Sequence, residues 1–263
     1  MKQFTIFGNP VAHSKSPCMH NMAFAGLGED ALYTRTLLQD GSKLREVFFE
    51  NNFMGANVTV PHKEDALRAC DEVDSFAKSV GAVNTIVRQG DKLYGYNTDA
   101  LGFLKALQKF GLDIKSIVIL GAGGTAKAIS VILRDAGYEV TIVNRSAGRL
   151  ESFKAQGFKT YTFEDFEASS YDLVVNSTSA GLEDDSLPAP KEMLAKLLSK
   201  AKASIDIIYG KETPFLKLSK TYNLPIKDGS DMLLYQGVLA FEKFVEGRHS
   251  FEEIEAYMKR AFI

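Results

Sequence analysis

Two periods of apolar residues share the first third of the chain. Short runs rich in β-branched and aromatic residues predict strands at Phe4–Phe7, Leu32–Leu37, Ala56–Val60, Asn84–Arg88 and Leu93–Tyr96. Between them, segments near 17–27, 42–52, 62–69 and 73–80 read as helices, the first carrying Met19, Met22, Ala23 and Leu27 on one face. Gln89-Gly90-Asp91-Lys92 predicts a turn joining the last two strands.

Beyond residue 100 the pattern changes. Ile117–Leu120 is apolar without polar alternation, as expected of a parallel strand buried on both faces. A helix over 125–136 follows, then strand candidates Val140–Val143, Leu173–Val175 and Ser204–Ile207. Strands alternating with helices predict a parallel sheet with right-handed crossovers. Two helices, about 230–246 and 250–260, close the chain with no strand after them. The fold class is therefore α/β, with two domains and a seam near residue 100.

Composition changes this picture little. With 263 residues, 45% hydrophobic and 24% charged, the chain can bury a core without a metal or disulfide staple. A net charge of -2 argues against nucleic-acid partners bound through phosphate neutralisation. Cys18 and Cys70 form no disulfide framework. No leader pattern opens the chain and no segment reaches the roughly 20 apolar residues of a membrane span, so a cytoplasmic protein is expected. His13, His20, His62 and His249 lack ligand spacing, and no metal is expected. No apolar stripe or heptad distinguishes a monomer from a homodimer.

The strand Ile117–Leu120 runs into Gly121-Ala122-Gly123-Gly124-Thr125-Ala126 and then a helix, matching G-x-G-x-x-A in its required context. Gly121 permits the tight turn, Gly123 lets backbone approach a pyrophosphate, and Ala126 allows close helix–strand packing. Free N–H groups at the helix start favour the phosphates. About 20 residues on, an acid normally takes the ribose 2′-hydroxyl of NAD. Here the next strand ends in Asn144-Arg145-Ser146, with Arg149 following and no acid. Two guanidiniums and an amide suit a 2′-phosphate, so NADP is the expected cofactor; the plainer reading makes both arginines solvated surface residues.

Three clusters in the first domain carry candidate chemistry. In His13-Ser14-Lys15-Ser16-Pro17, Ser16 reads as a helix N-cap with Pro17 at the first helical position, and Ser14 has no such duty. Paired hydroxyls there also suit a carboxylate. In Asn57-Val58-Thr59-Val60-Pro61-His62-Lys63, Pro61 marks a helix start and puts Lys63 in the first turn. A cation there opposes the helix dipole, and the same field with partial burial favours the neutral amine used in proton transfer; a surface lysine is the ordinary alternative. In Asn97-Thr98-Asp99 the acid reads either as an N-cap or as a functional carboxylate. Asn84, inside an apolar strand, and Gln236, beside the apolar stripe of a late helix, need internal partners or a pocket.

Taken in order, Gly8–Pro17, Asn57–Lys63, Gly81–Thr85, Gly95–Asp99, Gly121–Ala126, Asn144–Arg149, Asn176–Ser179 and Met232–Gln236 resemble the successive signatures of the shikimate dehydrogenase family. The resemblance implies a substrate domain over 1–99 plus 230–263 and a Rossmann-type NADP domain over 100–229, with a cleft between them and the last helices packing back on the first domain. It implies that Ser14 and Ser16 hold a substrate carboxylate. Thr59, Asn84, Asp99 and Gln236 then hold ring hydroxyls, with Tyr209 also at the substrate. Lys63 and Asp99 become the catalytic pair, and Thr178, Ile207 and Gly229 fall on the nicotinamide side. The implied reaction is NADPH-dependent reduction of the C3 ketone of 3-dehydroshikimate to shikimate, on the route to chorismate and the aromatic amino acids.

Two departures stand out. Asp231 occupies a turn position where many relatives carry glycine, which bears on cofactor contacts. His62 precedes Lys63 where Phe or Leu is common, which bears on the pH profile. Rival readings are a quinate/shikimate dehydrogenase using NAD, a non-catalytic ring-acid sensor, and another NADP enzyme sharing only the Rossmann half. The missing acid after the second cofactor strand counts against the first. Retention of both Lys63 and Asp99 counts against the second, and the substrate-half signatures against the third.

Overall fold

The computed structural model describes residues 1–262. It divides into two compact units, Met1–Gly102 with Leu234–Ile263, and Phe103–Leu233. None of its described helices is long and apolar enough to cross a membrane.

In chain order the first unit contains β1 (Lys2–Gly8), α1 (Ser16–Gly26), β2 (Ala31–Leu37), α2 (Leu44–Glu50), β3 (Gly55–Val58), α3 (Lys63–Ala69), β4 (Glu72–Val73), α4 (Ser75–Val80), β5 (Thr85–Gln89) and β6 (Lys92–Tyr96). Helix α5 (Asp99–Phe110) carries the chain into the second unit. That unit holds β7 (Ser116–Leu120), α6 (Gly124–Asp135), β8 (Glu139–Asn144), α7 (Glu151–Lys154), β9 (Lys159–Thr162), β10 (Leu173–Asn176), α8 (Lys191–Leu198), β11 (Ala203–Asp206), α9 (Pro214–Thr221) and β12 (Ile226–Lys227). The chain returns within α10 (Ser230–Phe244) and ends with α11 (Phe251–Met258) and a short 3-10 turn.

The first unit's sheet has the order β2-β1-β3-β5-β6-β4 and is mixed: β1, β2 and β3 run parallel, while β5 is antiparallel to both its neighbours. Gly90 supplies the positive φ of 61° that the β5–β6 turn needs. Alternation along β1 assigns its two faces. Phe4 packs on Phe24 and Phe244, whereas Phe7 packs on Phe48 and Phe53. Each of these rings is almost fully buried, and burying one contributes roughly 2–3 kcal/mol.

In the second unit six parallel strands take the order β12-β11-β10-β7-β8-β9, a doubly wound Rossmann arrangement. The short strands β4, β9 and β12 are absent from the hydrophobic pattern, because two to four residues at a sheet edge carry no legible period.

Two expectations about helix starts are corrected. Ser16 is not an N-cap: the cap position is Lys15, Ser16 is the first helical residue, and it is Ser14 Oγ that accepts a hydrogen bond from the Ser16 N–H at 3.2 Å. Helix α3 begins at Lys63 rather than at Pro61, after a cis Val60–Pro61 bond.

His20 on α1 is fully buried in the aromatic side of the first unit, stacked on Tyr33 with ring centroids 4.3 Å apart and 5.9 Å from Phe241. Neither ring nitrogen meets a partner in hydrogen-bonding geometry. Burial holds its pKa down at about 3, against an ordinary value of 6.5, outweighing the opposite pull of the Asn57 side chain. Between these values the unfolded chain binds a proton that the folded chain refuses. Stability therefore falls as pH falls from 6.5 toward 3, by up to about 1.4 kcal/mol per pH unit from this group. Urea unfolding at pH 7, 6 and 5 should show this slope in the wild type and a flatter one in His20→Phe. Equal slopes would show that His20 is not its source.

Candidate active site

Strand register brings the first unit's polar clusters to one end of its sheet. Phe7 of β1 lies beside Val58 of β3, Asn57 beside Thr85 of β5, and Thr85 beside Tyr96 of β6. Because β5 runs against β3 and β6, its start meets their ends. The segments leaving β1, β3 and β6 and the segment entering β5 thus share one edge, and these carry Ser14 and Ser16, Thr59 and Lys63, Asp99, and Asn84 respectively.

Lys63 Nζ lies 2.6 Å from Asp99 Oδ2, with side chains 28% and 18% exposed. The pair is reachable from solvent yet screened enough for its charges to act on one another. Asp99 opens α5, and its carboxylate is spent on Lys63. The backbone beside it is fixed from below: Thr98 donates its N–H to Asn84 Oδ1 at 2.7 Å, and Asn97 Nδ2 donates to the Ala82 carbonyl at 3.0 Å. Asn84 Nδ2 donates to Thr98 Oγ1 at 3.0 Å and to Gln236 Oε1 at 3.5 Å. The network continues inward, since Asn57 Nδ2 donates to Thr85 Oγ1 at 3.1 Å and Tyr33 donates its hydroxyl to Asn57 Oδ1 at 2.7 Å. Asn57, Asn84, Thr85, Thr98 and Gln236 are all buried. Buried amides and hydroxyls so fully paired hold a single geometry.

Ser14 and Ser16 are also buried, and the Arg35 guanidinium holds the Ser14 carbonyl at 2.6 Å. Thr59 donates its N–H to the Phe7 carbonyl at 2.8 Å, and its methyl lies where a Cβ on Gly8 would fall. His62 is buried, with Nε2 2.7 Å from the Leu38 carbonyl and Nδ1 3.4 Å from Asp65. It therefore anchors the start of α3 through the Leu38 carbonyl and Asp65.

In the second unit the glycine loop follows β7. Gly121 has φ 110°, and a Cβ there would come within 2.9 Å of Ser177 Oγ and Thr178 Cγ2. Gly123 caps α6 without a side-chain hydrogen bond, no acid stands in the first turn, and the space above Gly123 and Gly124 is open. Free N–H groups facing an open cradle match a pyrophosphate. Ala122 and Thr125 are half-buried along the same loop, and Ala126 is fully buried at the helix–strand contact.

At the end of β8, Asn144 Nδ2 donates to the Ser146 carbonyl and hydroxyl at 2.9 and 3.3 Å, shaping the turn before the 3-10 helix Ala147–Leu150. Arg145 and Arg149 are exposed there, and neither makes an ion pair or hydrogen bond with a described residue. Unpaired guanidiniums beside a turn rich in donors match a phosphate monoester.

At the other half of this sheet, Asn176 and Asp206 end β10 and β11 side by side. Asn176 Oδ1 accepts from the Thr178 N–H and hydroxyl at 2.9 and 2.7 Å. Burial pushes the Asp206 carboxyl up from its ordinary value, opposed by hydrogen bonds from Thr213, Asn176 and the Ile208 N–H. Ile207 follows at once, and Tyr209 is half-buried, its phenol pushed up by burial. Gly229 donates its N–H to the Ile208 carbonyl at 3.0 Å. Asp231 forms an ion pair with Lys227.

The structure thus gathers Ser14, Ser16, Thr59, Lys63, Asn84, Asp99 and Gln236 in the first unit. It gathers Gly121–Ala126 with Thr178, and Ile207 with Gly229, in the second; Asn144–Arg149 end the neighbouring strand, and Tyr209 belongs to the second unit. Sequence reading passed over Thr85, Thr98, Asn176 and Asp206. The signal for Asp206 was present, an acid inside the apolar run Ala203–Ile208.

Comparison with known proteins agrees with this geometry. Residues 6–86 match the family described as shikimate dehydrogenase substrate binding domain, and residues 105–207 match shikimate / quinate 5-dehydrogenase. The chain is 42% identical over 262 residues to the NADP(+) shikimate dehydrogenase of Helicobacter hepaticus, covering 99% of this chain and 97% of that protein. It is 39% identical over 247 residues to the Thermus thermophilus counterpart, covering 92% and 91%. A crystal structure of the Thermus thermophilus shikimate 5-dehydrogenase with NADP(H) and shikimate superposes with a TM-score of 0.87 at 36% identity, covering 99% of this chain and all of that one. With both halves matched in order and relatives aligned end to end, this chain belongs to the shikimate dehydrogenase family.

Proposed function

We propose that this protein catalyses the reversible NADP-dependent reduction of 3-dehydroshikimate to shikimate. The observation that carries this is the Lys63–Asp99 pair, 2.6 Å apart at the sheet edge where the first unit's hydroxyls and amides also converge. An oxidoreductase acting on a secondary alcohol needs a proton donor beside groups that orient a polyhydroxylated ring, and that edge supplies both. The biosynthetic role accords with a cytoplasmic setting.

Ser14 and Ser16 take the substrate carboxylate by hydroxyl donation. Thr59, Asn84 and Gln236 bind ring hydroxyls. Asn84 is well suited, since Thr98 and Gln236 fix both ends of its amide. The second unit holds NADP: the α6 N-terminus and Gly121–Ala126 take the pyrophosphate, Asn144–Ser146 and Arg149 take the 2′-phosphate, and Thr178, Ile207 and Gly229 stand at the nicotinamide end. When bound, NADPH supplies the hydride. Lys63 Nζ donates a proton to the oxygen left negative at C3, while Asp99 accepts from a ring hydroxyl to orient the substrate and holds the ammonium in place. In the oxidative direction Lys63 is the base.

Initial rates in a grid of shikimate or quinate against NADP+ or NAD+ test the reading, which expects activity with shikimate and NADP+. Comparable rates with quinate or NAD+ would move the protein to the broader dehydrogenase class, and no activity in any combination would remove the catalytic reading. Lys63→Ala should retain fold and NADP+ binding but lose roughly 10²–10⁴ in turnover, the usual worth of a positioned proton donor. A rate near wild type would exclude Lys63 as that donor. Arg149→Ala should raise the KM for NADP+ about tenfold or more, the value of one charge-assisted bond, and leave the KM for NAD+ nearly unchanged. Equal changes for the two cofactors would remove the 2′-phosphate assignment.

A further inference from the structure

The second unit contains a buried acid that no catalytic step uses. Asp206 is fully buried at the end of β11, where parallel strands of a doubly wound sheet present their ligand-binding ends. One oxygen, Oδ2, accepts from Asn176 Nδ2 at 3.0 Å and from the Thr213 hydroxyl at 2.7 Å. The other, Oδ1, accepts from the Ile208 N–H at 3.0 Å. Two of these partners, Asn176 and Ile208, lead to segments assigned to the nicotinamide end, and the third, Thr213, to the start of α9. Asn176 fixes the Thr178 backbone and hydroxyl. Ile208 receives the Gly229 N–H, and Gly229 packs so closely on Ile207 that a Cβ would collide with the Ile207 carbonyl. Thr213 caps α9, accepting from the Leu216 N–H at 3.3 Å.

We propose that Asp206 is a positioning residue for the nicotinamide half of the cofactor, setting Thr178 through the hydrogen bond it accepts from Asn176, and Ile207 and Gly229 through the one it accepts from the Ile208 N–H. The inference rests on the assignment of those three residues to that end. A buried carboxylate is suited to the task because it accepts on every side, where an amide must donate on one. In Asp206→Asn either orientation of the amide sets a donor against a donor: its NH₂ faces Asn176 Nδ2 in one, and the Ile208 N–H in the other. The exchange variant Asn176→Asp with Asp206→Asn removes the conflict. The amide at position 206 is then able to donate to the new carboxylate and to Thr213 while still accepting from Ile208, and the carboxylate at position 176 still accepts from Thr178.

The test measures binding of NADPH, by its fluorescence, and of adenosine 2′,5′-bisphosphate, which lacks the nicotinamide, together with kcat and the KM for shikimate. Asp206→Asn should weaken NADPH binding and lower kcat by roughly tenfold or more, as expected for a buried donor left unmet. Affinity for the bisphosphate and the KM for shikimate should stay within about twofold of wild type, and the exchange variant should recover most of the loss. Wild-type NADPH binding and kcat in Asp206→Asn would overturn the proposal, as would equal loss of both ligands. Should Asp206→Asn fail to fold, the exchange variant decides: folded with near wild-type NADPH affinity and kcat, it supports the proposal. Folded but weak for NADPH, or unfolded, it overturns it. If the wild-type protein binds neither NADPH nor the bisphosphate, the functional reading itself fails, and this inference with it.

Discussion

One hydrogen bond in the first unit governs much of the rest, the 2.7 Å contact in which Asn84 accepts the backbone N–H of Thr98. Thr98 is where the chain leaves β6 and turns into α5. Fixing that N–H fixes the direction of the next residue, Asp99, and so the place where Lys63 finds its partner. Asn84 is held in turn by its position at the entry to β5, its carbonyl accepting from the Val58 N–H at 2.8 Å. Sheet register is thereby converted into side-chain geometry. A slip of one residue in the β3–β5 pairing would turn Asn84 to the other face and leave Thr98 without its acceptor.

The two halves of the second unit's sheet use opposite means to present a binding surface at the same strand ends. At the glycine loop, side chains are removed: Gly121 must lie against Ser177 and Thr178, and Gly123 and Gly124 leave free N–H groups under open space. An anion needs only those donors. At the ends of β10 and β11 the Asp206 carboxylate is spent on internal hydrogen bonds, so shape has to come from the protein. Asn176 and Asp206 satisfy one another across neighbouring strands, and their remaining acceptors set the loops that follow. Backbone suffices where charge does the binding, and buried side chains are required where position does.

Most of this was legible in the sequence, for physical reasons that differ by element. The Rossmann half announces itself because strands buried on both faces leave unbroken apolar runs, and β7 leads straight into its glycines. Lys63 stands out as a cation at a helix start, where the dipole disfavours it, whereas Asp99 reads equally well as an ordinary cap. Ser16 was misread because a serine before proline has the composition of a cap. The structure shows the backbone still helical at Lys15, with the preceding hydroxyl of Ser14 taking the free N–H instead. The short strands were illegible because edge pairing of two residues depends on a neighbour that no local window contains. Thr85, in β5, and Thr98, in the turn after β6, carry no assigned role because a threonine in a strand or turn needs no explanation until its hydroxyl is seen paired.

The buried polar groups of this fold include two contrasting kinds. Those at strand ends, Asn57, Asn84, Thr98, Asn176 and Asp206, are bonded to one another and to loop backbone. A strand's last inward side chain meets turning backbone whose N–H groups are not consumed by the sheet, so donors are available there. His20 is the contrary case: it sits within α1, whose backbone is already paired, and its closest stacking neighbours are rings that offer neither nitrogen a hydrogen bond. It survives as a neutral ring, stabilised by stacking and burial and not by polar contacts. The same desolvation acts on Asp206 and His20, disfavouring the charged form of each. For the carboxylate, hydrogen bonds from Thr213, Asn176 and the Ile208 N–H oppose it in part. That difference in available donors, set by strand end against helix interior, is why polar chemistry gathers at one edge of each sheet while the core between stays apolar.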